Sequence, residues 1–356
     1  MMSSRGWTGL LWWLLMCYYC DARTDTCIIG CECVGTTIEC QSLDRESFPA
    51  NLDPDTEILR IRESKISYIQ RNALAKMPHL RVLEISSTDI IYIQTCAFSG
   101  ISNFTSIKFS KNNITSIVQN AFALVADVEE LVFENSKIDT ISTQAFTKIR
   151  DVGTFRLRNL TVNKLEREAI DDVSGVLNLH VDLNKFAYVG QSPLNKLVNV
   201  TLNVSQNIFP SHCGVGDIYT NVDRETNVIL FFRFNVINLC ACNMSLLRWQ
   251  TSAAVTLDEN TCSGPPEIAG SFLNDLADTP FCQVVGANRT TPLWCPVTRQ
   301  MRVLHNCHAF GSPLIPQEEV KDPRIAEDRD SNNGVANIES NVYLVSVVLS
   351  FLFYLY

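Results

Sequence analysis

Apolar positions in the middle of the chain recur with a long and constant step. Leu59-Arg60-Ile61 is followed by Leu83-Glu84-Ile85, Ile107-Lys108-Phe109, Leu131-Val132-Phe133, Phe155-Arg156-Leu157 and Leu179-His180-Val181, each 24 residues after the last. Three further columns keep the same step: Ile66, Ile90, Ile114, Ile138, Val162 and Phe186; Ile69, Ile93, Ile117, Ile141, Leu165 and Val189; Leu74, Phe98, Phe122, Phe146, Ile170 and Leu194. The short alternating segment predicts a strand in each unit. No unit can bury its apolar face alone, so the units must stack on one continuous core as a solenoid. Helical spacing is never sustained long enough for a stack of amphipathic helices. A seventh unit, at Leu202, Val204, Asn207 and Phe209, slips by one residue, and an eighth, Leu230 to Ile237, follows a longer connection.

Each unit reads L-x-L-x-x-N/S/T-x-I-x-x-I, usually followed by A-F. This resembles the leucine-rich repeat family in its 24-residue extracellular form. The resemblance implies an α/β solenoid, a horseshoe with parallel strands on its concave face and disulfide-stapled caps. A buried asparagine after each strand would satisfy backbone groups of neighbouring turns. Here that column is Ser64, Thr88, Asn112, Ser136, Leu160 and Asn184, so the fifth turn should differ locally at Leu160.

Both open ends of such a stack need covers. Before the first unit, CIIGCECVGTTIEC is similar to the N-terminal cap of secreted members, which implies bridges Cys27 to Cys33 and Cys31 to Cys40. After the last, Cys240, Cys242, Cys262 and Cys282 with Trp249 resemble the C-terminal cap, implying Cys240 to Cys262 and Cys242 to Cys282. Zinc is the competing reading of four clustered cysteines, and export argues against it. Cys295 and Cys307 are close enough in sequence to close a small loop, the pairing favoured over long-range ones. Cys96 and Cys213 lie several turns apart, too far to bridge at about 5 Å per strand, which leaves either unpaired or linked to another chain.

The two ends of the chain have a different composition. Arg5, an apolar run from Leu10 to Tyr19 and compact residues up to Ala22 follow the order of a secretory signal. Val342 to Tyr356 is uncharged and shorter than the roughly 20 residues of a spanning helix. Compact residues and a polar spacer precede it, the pattern of a glycolipid-anchor signal with Ser331, Asn332 and Asn333 as candidate attachment residues. A single-pass anchor is the alternative. The expected organisation is a signal at 1–22, an N-terminal cap at 27–50, repeats at 51–237 and a C-terminal cap at 238–282. A post-cap extension at 283–315, an acidic stalk at 316–333 and a removed anchor signal at 334–356 complete it.

The formal charge of -9 argues against a nucleic-acid partner. The strand residues that should point away from the core form two ladders on the concave face. One runs Arg60, Glu84, Lys108, Val132, Arg156, His180, and the other Arg62, Ser86, Ser110, Glu134, Arg158, Asp182. Acids and bases interleave, which fits either a self-compensated face or a polar protein-binding face anchored at Arg156 and Arg158. Sequons stand at Asn103, Asn113, Asn159, Asn199, Asn203, Asn243 and Asn288. A sugar on Asn159 would border the concavity, and those on Asn103 and Asn199 would shield one side. The five histidines include no HExxH pair, and no G-x-S-x-G elbow or phosphate loop occurs. The sequence therefore predicts no enzyme and no cofactor. It predicts a cell-surface protein that binds a protein ligand or receptor, itself included, in adhesion or recognition. The alternatives are a co-receptor acting through a transmembrane partner and, third, a matrix-binding protein.

Overall fold

A computed structural model describes residues 27–49, 51–215, 218, 227–241, 255–285 and 307. Within them the chain winds as a solenoid whose turns each place one strand in each of two parallel sheets. The longer, 14-stranded sheet opens with an antiparallel hairpin, Cys31–Val34 with Thr37–Gln41. It continues in parallel through Ile58–Arg62, Val82–Ser86, Ser102–Ser110, Ala126–Glu134 and Phe146–Arg158 to Asn178–Asp182, Val200–Ser205, Val228–Arg233 and Val255–Asp258. The second sheet, 10-stranded, runs from Asp44–Ser47 through Lys65–Ile69, Asp89–Ile93, Asn113–Ile117, Lys137–Ile141 and onward to Thr261–Cys262.

The expected α/β horseshoe is corrected to an almost purely β solenoid. The return limb of each unit is a second strand and not a helix. Segments such as Lys65–Ile69 and Asp89–Ile93 are five residues long, rich in β-branched isoleucine, and too short to repay helix nucleation. Their buried isoleucines instead meet their counterparts one turn on, as in the series Ile66, Ile90, Ile114, Ile138 and Val162. On the third side, Phe122–Ala123 and Ile170–Ser174 pair with the 13-residue strand Phe146–Arg158, so extended backbone reaches there too. Among the described residues helix is confined to short pieces, such as Pro280–Val285 in the C-terminal block.

Side-by-side stacking puts Leu59, Leu83, Ile107, Leu131, Phe155, Leu179, Leu202 and Leu230 in one register, which absorbs the slip at the seventh unit. Behind this wall the phenylalanines interlock. Phe122 stacks between Phe98 and Phe146 at 4.8 and 5.0 Å, and meets Phe109 and Phe133 edge-on. Such offset and T-shaped pairs suit the ring quadrupole.

The polar column forms a hydrogen-bonded ladder beside the core. Asn207 is fully buried; its Oδ1 accepts from the Asn184 backbone N–H at 2.9 Å, and its Nδ2 donates to the Val181 carbonyl at 2.7 Å. Asn184 and Asn235 repeat both bonds with their own preceding turns. At Ser64 and Ser136 the hydroxyl accepts the bond from the previous turn at 3.0 Å and donates within its own turn, so only half the rung is made. Leu160 is buried and its side chain offers no acceptor, yet its N–H donates to Asn184 and its carbonyl accepts from Lys185. Strand register is unbroken on both sides of it, so the fifth turn lacks a side-chain rung and keeps its backbone course. The residue before each rung adopts left-handed backbone, with φ of 49° to 59° from Glu63 through Ser87, Lys111, Asn135, Asn159, Leu183 and Gln206 to Phe234.

Disulfides tie both ends of the array. Cys27 is bonded to Cys33, Cys31 to Cys40, and Cys240 to Cys262. Cys213 and Cys282 are also disulfide-bonded; Cys242 and Cys295 lie outside the described residues. The favoured Cys295 to Cys307 loop is corrected: Cys307 is bonded to Cys96 across a sequence separation of 211. The expectation that Cys96 or Cys213 is left over fails with it. Sequence proximity misled here because closing a longer loop costs only logarithmically more, while the fully buried Cys96 needs a partner brought to its own turn.

Candidate functional site

The candidate interface is the outward face of the longer sheet, where alternation along each strand turns every second side chain to solvent. Parallel register brings Arg60 beside Glu84 and Glu39, Lys108 beside Glu84 and Val132, and Arg156 beside Val132 and His180. In the neighbouring ladder, Glu134 stands next to Arg158, and Arg158 next to Asp182.

Much of this charge is neutralised locally. Arg60 bridges Glu39 at 2.7 Å and Glu84 at 3.0 Å, and the Glu39 hydrogen bond is the foremost reason that its guanidinium is held further into its charged form. Lys108 bridges Glu134 at 2.7 Å, and Arg158 pairs with the buried Asp182 at 3.3 Å. Such half-exposed pairs fix side-chain positions more than they stabilise the fold. Near the C-terminal end, Arg233 pairs with Asp258 at 3.3 Å and lies over the ring of Phe231 at 4.8 Å.

Arg62 and Arg156 differ: neither has an ion-pair partner among the described residues. Arg156 is half-buried, and its Nε is a buried donor without a hydrogen-bond acceptor. On one side lies Val132, which is buried although it points out of the sheet, and on the other His180. Burial, reinforced by the charges of Arg156 and Arg158 and opposed by Asp182, lowers the pKa of His180. The centre of the face is thus an apolar floor with a positive, partly dehydrated group and a neutral imidazole at neutral pH.

The sequons distribute around this face. Asn103 and Asn199 occupy one corner column, both left-handed and exposed, four repeats apart. Asn159 lies at the opposite corner, immediately after Arg158, with its amide donating to Asn135 at 2.7 Å. Asn113 is exposed at the start of a second-sheet strand. Asn203 lies on the outward face of the longer sheet itself, in register with His180 and 3.5 Å from its Nδ1. Asn243, Asn288 and the candidate anchor residues Ser331, Asn332 and Asn333 fall outside the described residues.

One contributor to the face escaped the sequence reading. Val255–Asp258 adds a strand within the expected C-terminal cap, and Asn260 extends the ladder by accepting from Asn235 N–H at 3.0 Å. The signal was present as Leu257-x-x-Asn260, the tail of the repeat motif. Among the described residues no group of His, Cys, Asp and Glu is arranged to hold a metal ion, and no helix is long and apolar enough to cross a membrane.

Comparison with known proteins agrees with the stacking. Residues 56–186 match six copies of the BspA type leucine rich repeat region. No curated protein matches significantly. Among solved structures, human 5T4 (Wnt-activated inhibitory factor 1, Trophoblast glycoprotein) is 15% identical with a TM-score of 0.37, over 70% of this chain and 96% of that one. A chain of the octameric complex of Latrophilin 3, Unc5D and FLRT2 is 20% identical with a TM-score of 0.35, over 68% of this chain and 83% of its own length. Residues 56–186 of the described array thus resemble leucine-rich repeats, and disulfide-bonded cysteines stand at both of its ends.

Proposed function

We propose that this protein is exported, held on the outer face of the plasma membrane by a glycolipid, and binds a protein partner through the outward face of its longer sheet in cell adhesion or recognition. The observation that carries the reading is Arg156. Its neighbours on the face are the apolar Val132, the imidazole of His180 and the ion-paired Glu134 and Arg158, while its own Nε is buried without an acceptor. A buried donor of this kind costs free energy until an acceptor arrives. A carboxylate on a partner supplies that acceptor with the planar, paired geometry that guanidinium favours. Arginine flanked by dehydrated apolar surface is also the composition of interface hot spots. A sugar on Asn159 would border this centre, and one on Asn203 would confine docking to the turns before His180.

The test is expression on non-adherent cells. Aggregation that is lost in Arg156→Glu, with surface level unchanged, supports adhesion through this face. Aggregation indifferent to Arg156→Glu refutes the assigned face. No aggregation, together with capture of a transmembrane receptor that depends on Arg156, replaces adhesion by a co-receptor role. Release from intact cells by a phosphatidylinositol-specific phospholipase, and mass spectrometry of the mature C terminus, test the anchor separately.

A further inference from the structure

A groove of about 160 Å³ opens on the third side of the first two turns. Leu74, Met77, Leu80, Ile101 and Phe104 form its apolar walls, each of them buried. Its rim is polar and includes Arg81 and Asn103, and the Arg81 Nη1 donates to the Asn103 carbonyl at 2.7 Å. Sites that hold free small molecules usually enclose about 300–1,000 Å³, so this groove is small for an independent ligand. A tethered group faces a different balance, because attachment removes most of the translational and rotational cost of binding.

Asn103 supplies such a tether. It begins the sequon Asn103-Phe104-Thr105, it is one of the residues lining the groove, its Nδ2 donates to Ser102 Oγ at 3.3 Å, and it is exposed with left-handed backbone at φ 60°. Phe104 is buried and lines the same groove. Asn199 begins an equivalent sequon at the same corner four repeats later, but its Oδ1 accepts from Asn227 at 3.1 Å and it is remote from these walls.

We propose that the groove seats the innermost N-acetylglucosamine of a glycan carried by Asn103. The apolar face of the sugar ring lies on Leu74, Met77 and Phe104, and its hydroxyl edge meets Arg81. The glycan then acts as a packed element of the N-terminal turns, while a sugar on Asn199 is only a solvated screen. The inference rests on the proposed export, since only an exported chain meets the glycosylation machinery.

The protein expressed in mammalian cells is mapped for site occupancy. Amide exchange is then compared among the wild type, Asn103→Gln, Thr105→Ala and Asn199→Gln. Occupied Asn103 is expected, with exchange across Leu74–Arg81 rising on the order of tenfold, the scale of a modest apolar area returned to water, in both Asn103→Gln and Thr105→Ala. Asn199→Gln should leave that segment unchanged. A bare Asn103 beside other occupied sequons, or an occupied Asn103 whose loss leaves exchange unaltered, overturns the inference while export stands. A chain bearing no sugar at any sequon overturns export itself.

Discussion

Replacing Asn207 by alanine removes one complete rung of the buried ladder. Asn207 is fully buried, and two backbone groups of preceding turns depend on it: the Asn184 N–H at 2.9 Å and the Val181 carbonyl at 2.7 Å. Orphaning a buried donor or acceptor costs about 1–3 kcal/mol. Two together predict a loss of about 2–6 kcal/mol, a large part of the usual 5–15 kcal/mol or so of a folded domain. Asn207→Ser refines the test. At Ser64 and Ser136 a hydroxyl in this column accepts the bond from the previous turn at 3.0 Å but sends its own proton to a carbonyl of its own turn. Serine at 207 should therefore rescue the Asn184 N–H and leave Val181 unpaired, roughly halving the loss, to about 1–3 kcal/mol. Urea unfolding followed by circular dichroism measures both, with non-reducing conditions keeping the disulfides intact. Equal losses for alanine and serine, or an alanine loss below about 1 kcal/mol, would refute the claim that separate donor and acceptor bonds hold these turns together.

Other outcomes follow from the same packing. Non-reducing peptide mapping should recover a Cys96–Cys307 peptide, and Cys307→Ser should lower stability by up to about 5 kcal/mol, the loop-entropy value for a closure of 211 residues; a recovered Cys295–Cys307 peptide would contradict the fold. Phe122→Ala should cost about 3–5 kcal/mol because four rings lose their common neighbour, and Phe186→Ala, whose ring stacks only on Phe209 in this set, should cost less by thermal or urea unfolding. Acidification should destabilise the protein through His180 and His212. Burial is the leading cause that lowers both below the ordinary value near 6.5, so the unfolded chain takes up their protons first; their contribution is present above about pH 6.5 and is lost as pH falls through the folded values. The double variant His180→Gln with His212→Gln should show a shallower fall in urea midpoint between pH 7 and pH 5, and an unchanged slope would contradict this account.

The sequence by itself determined the repeat, its register and its core, because a buried column must recur whenever the chain passes the same point of a stack. Leu59 through Leu230, the two isoleucine columns and the polar rung are therefore readable as spacing. The ladder strand Val255–Asp258 was readable as well, from Leu257 and Asn260, had the cap not masked the motif. Whether the return limb is helix or strand was a matter of tertiary structure. A five-residue segment has too little local preference to decide, and the next turn's isoleucines tipped it to a second parallel sheet. Cysteine pairing was likewise decided in three dimensions, since Cys96 and Cys307 are 211 residues apart and share no local pattern. The charged face shows the same division. Spacing placed Arg60, Lys108, Arg156 and Arg158 on one surface, but only side-chain geometry separated the paired guanidiniums from Arg156, because a salt bridge depends on ångströms that a 24-residue period does not encode.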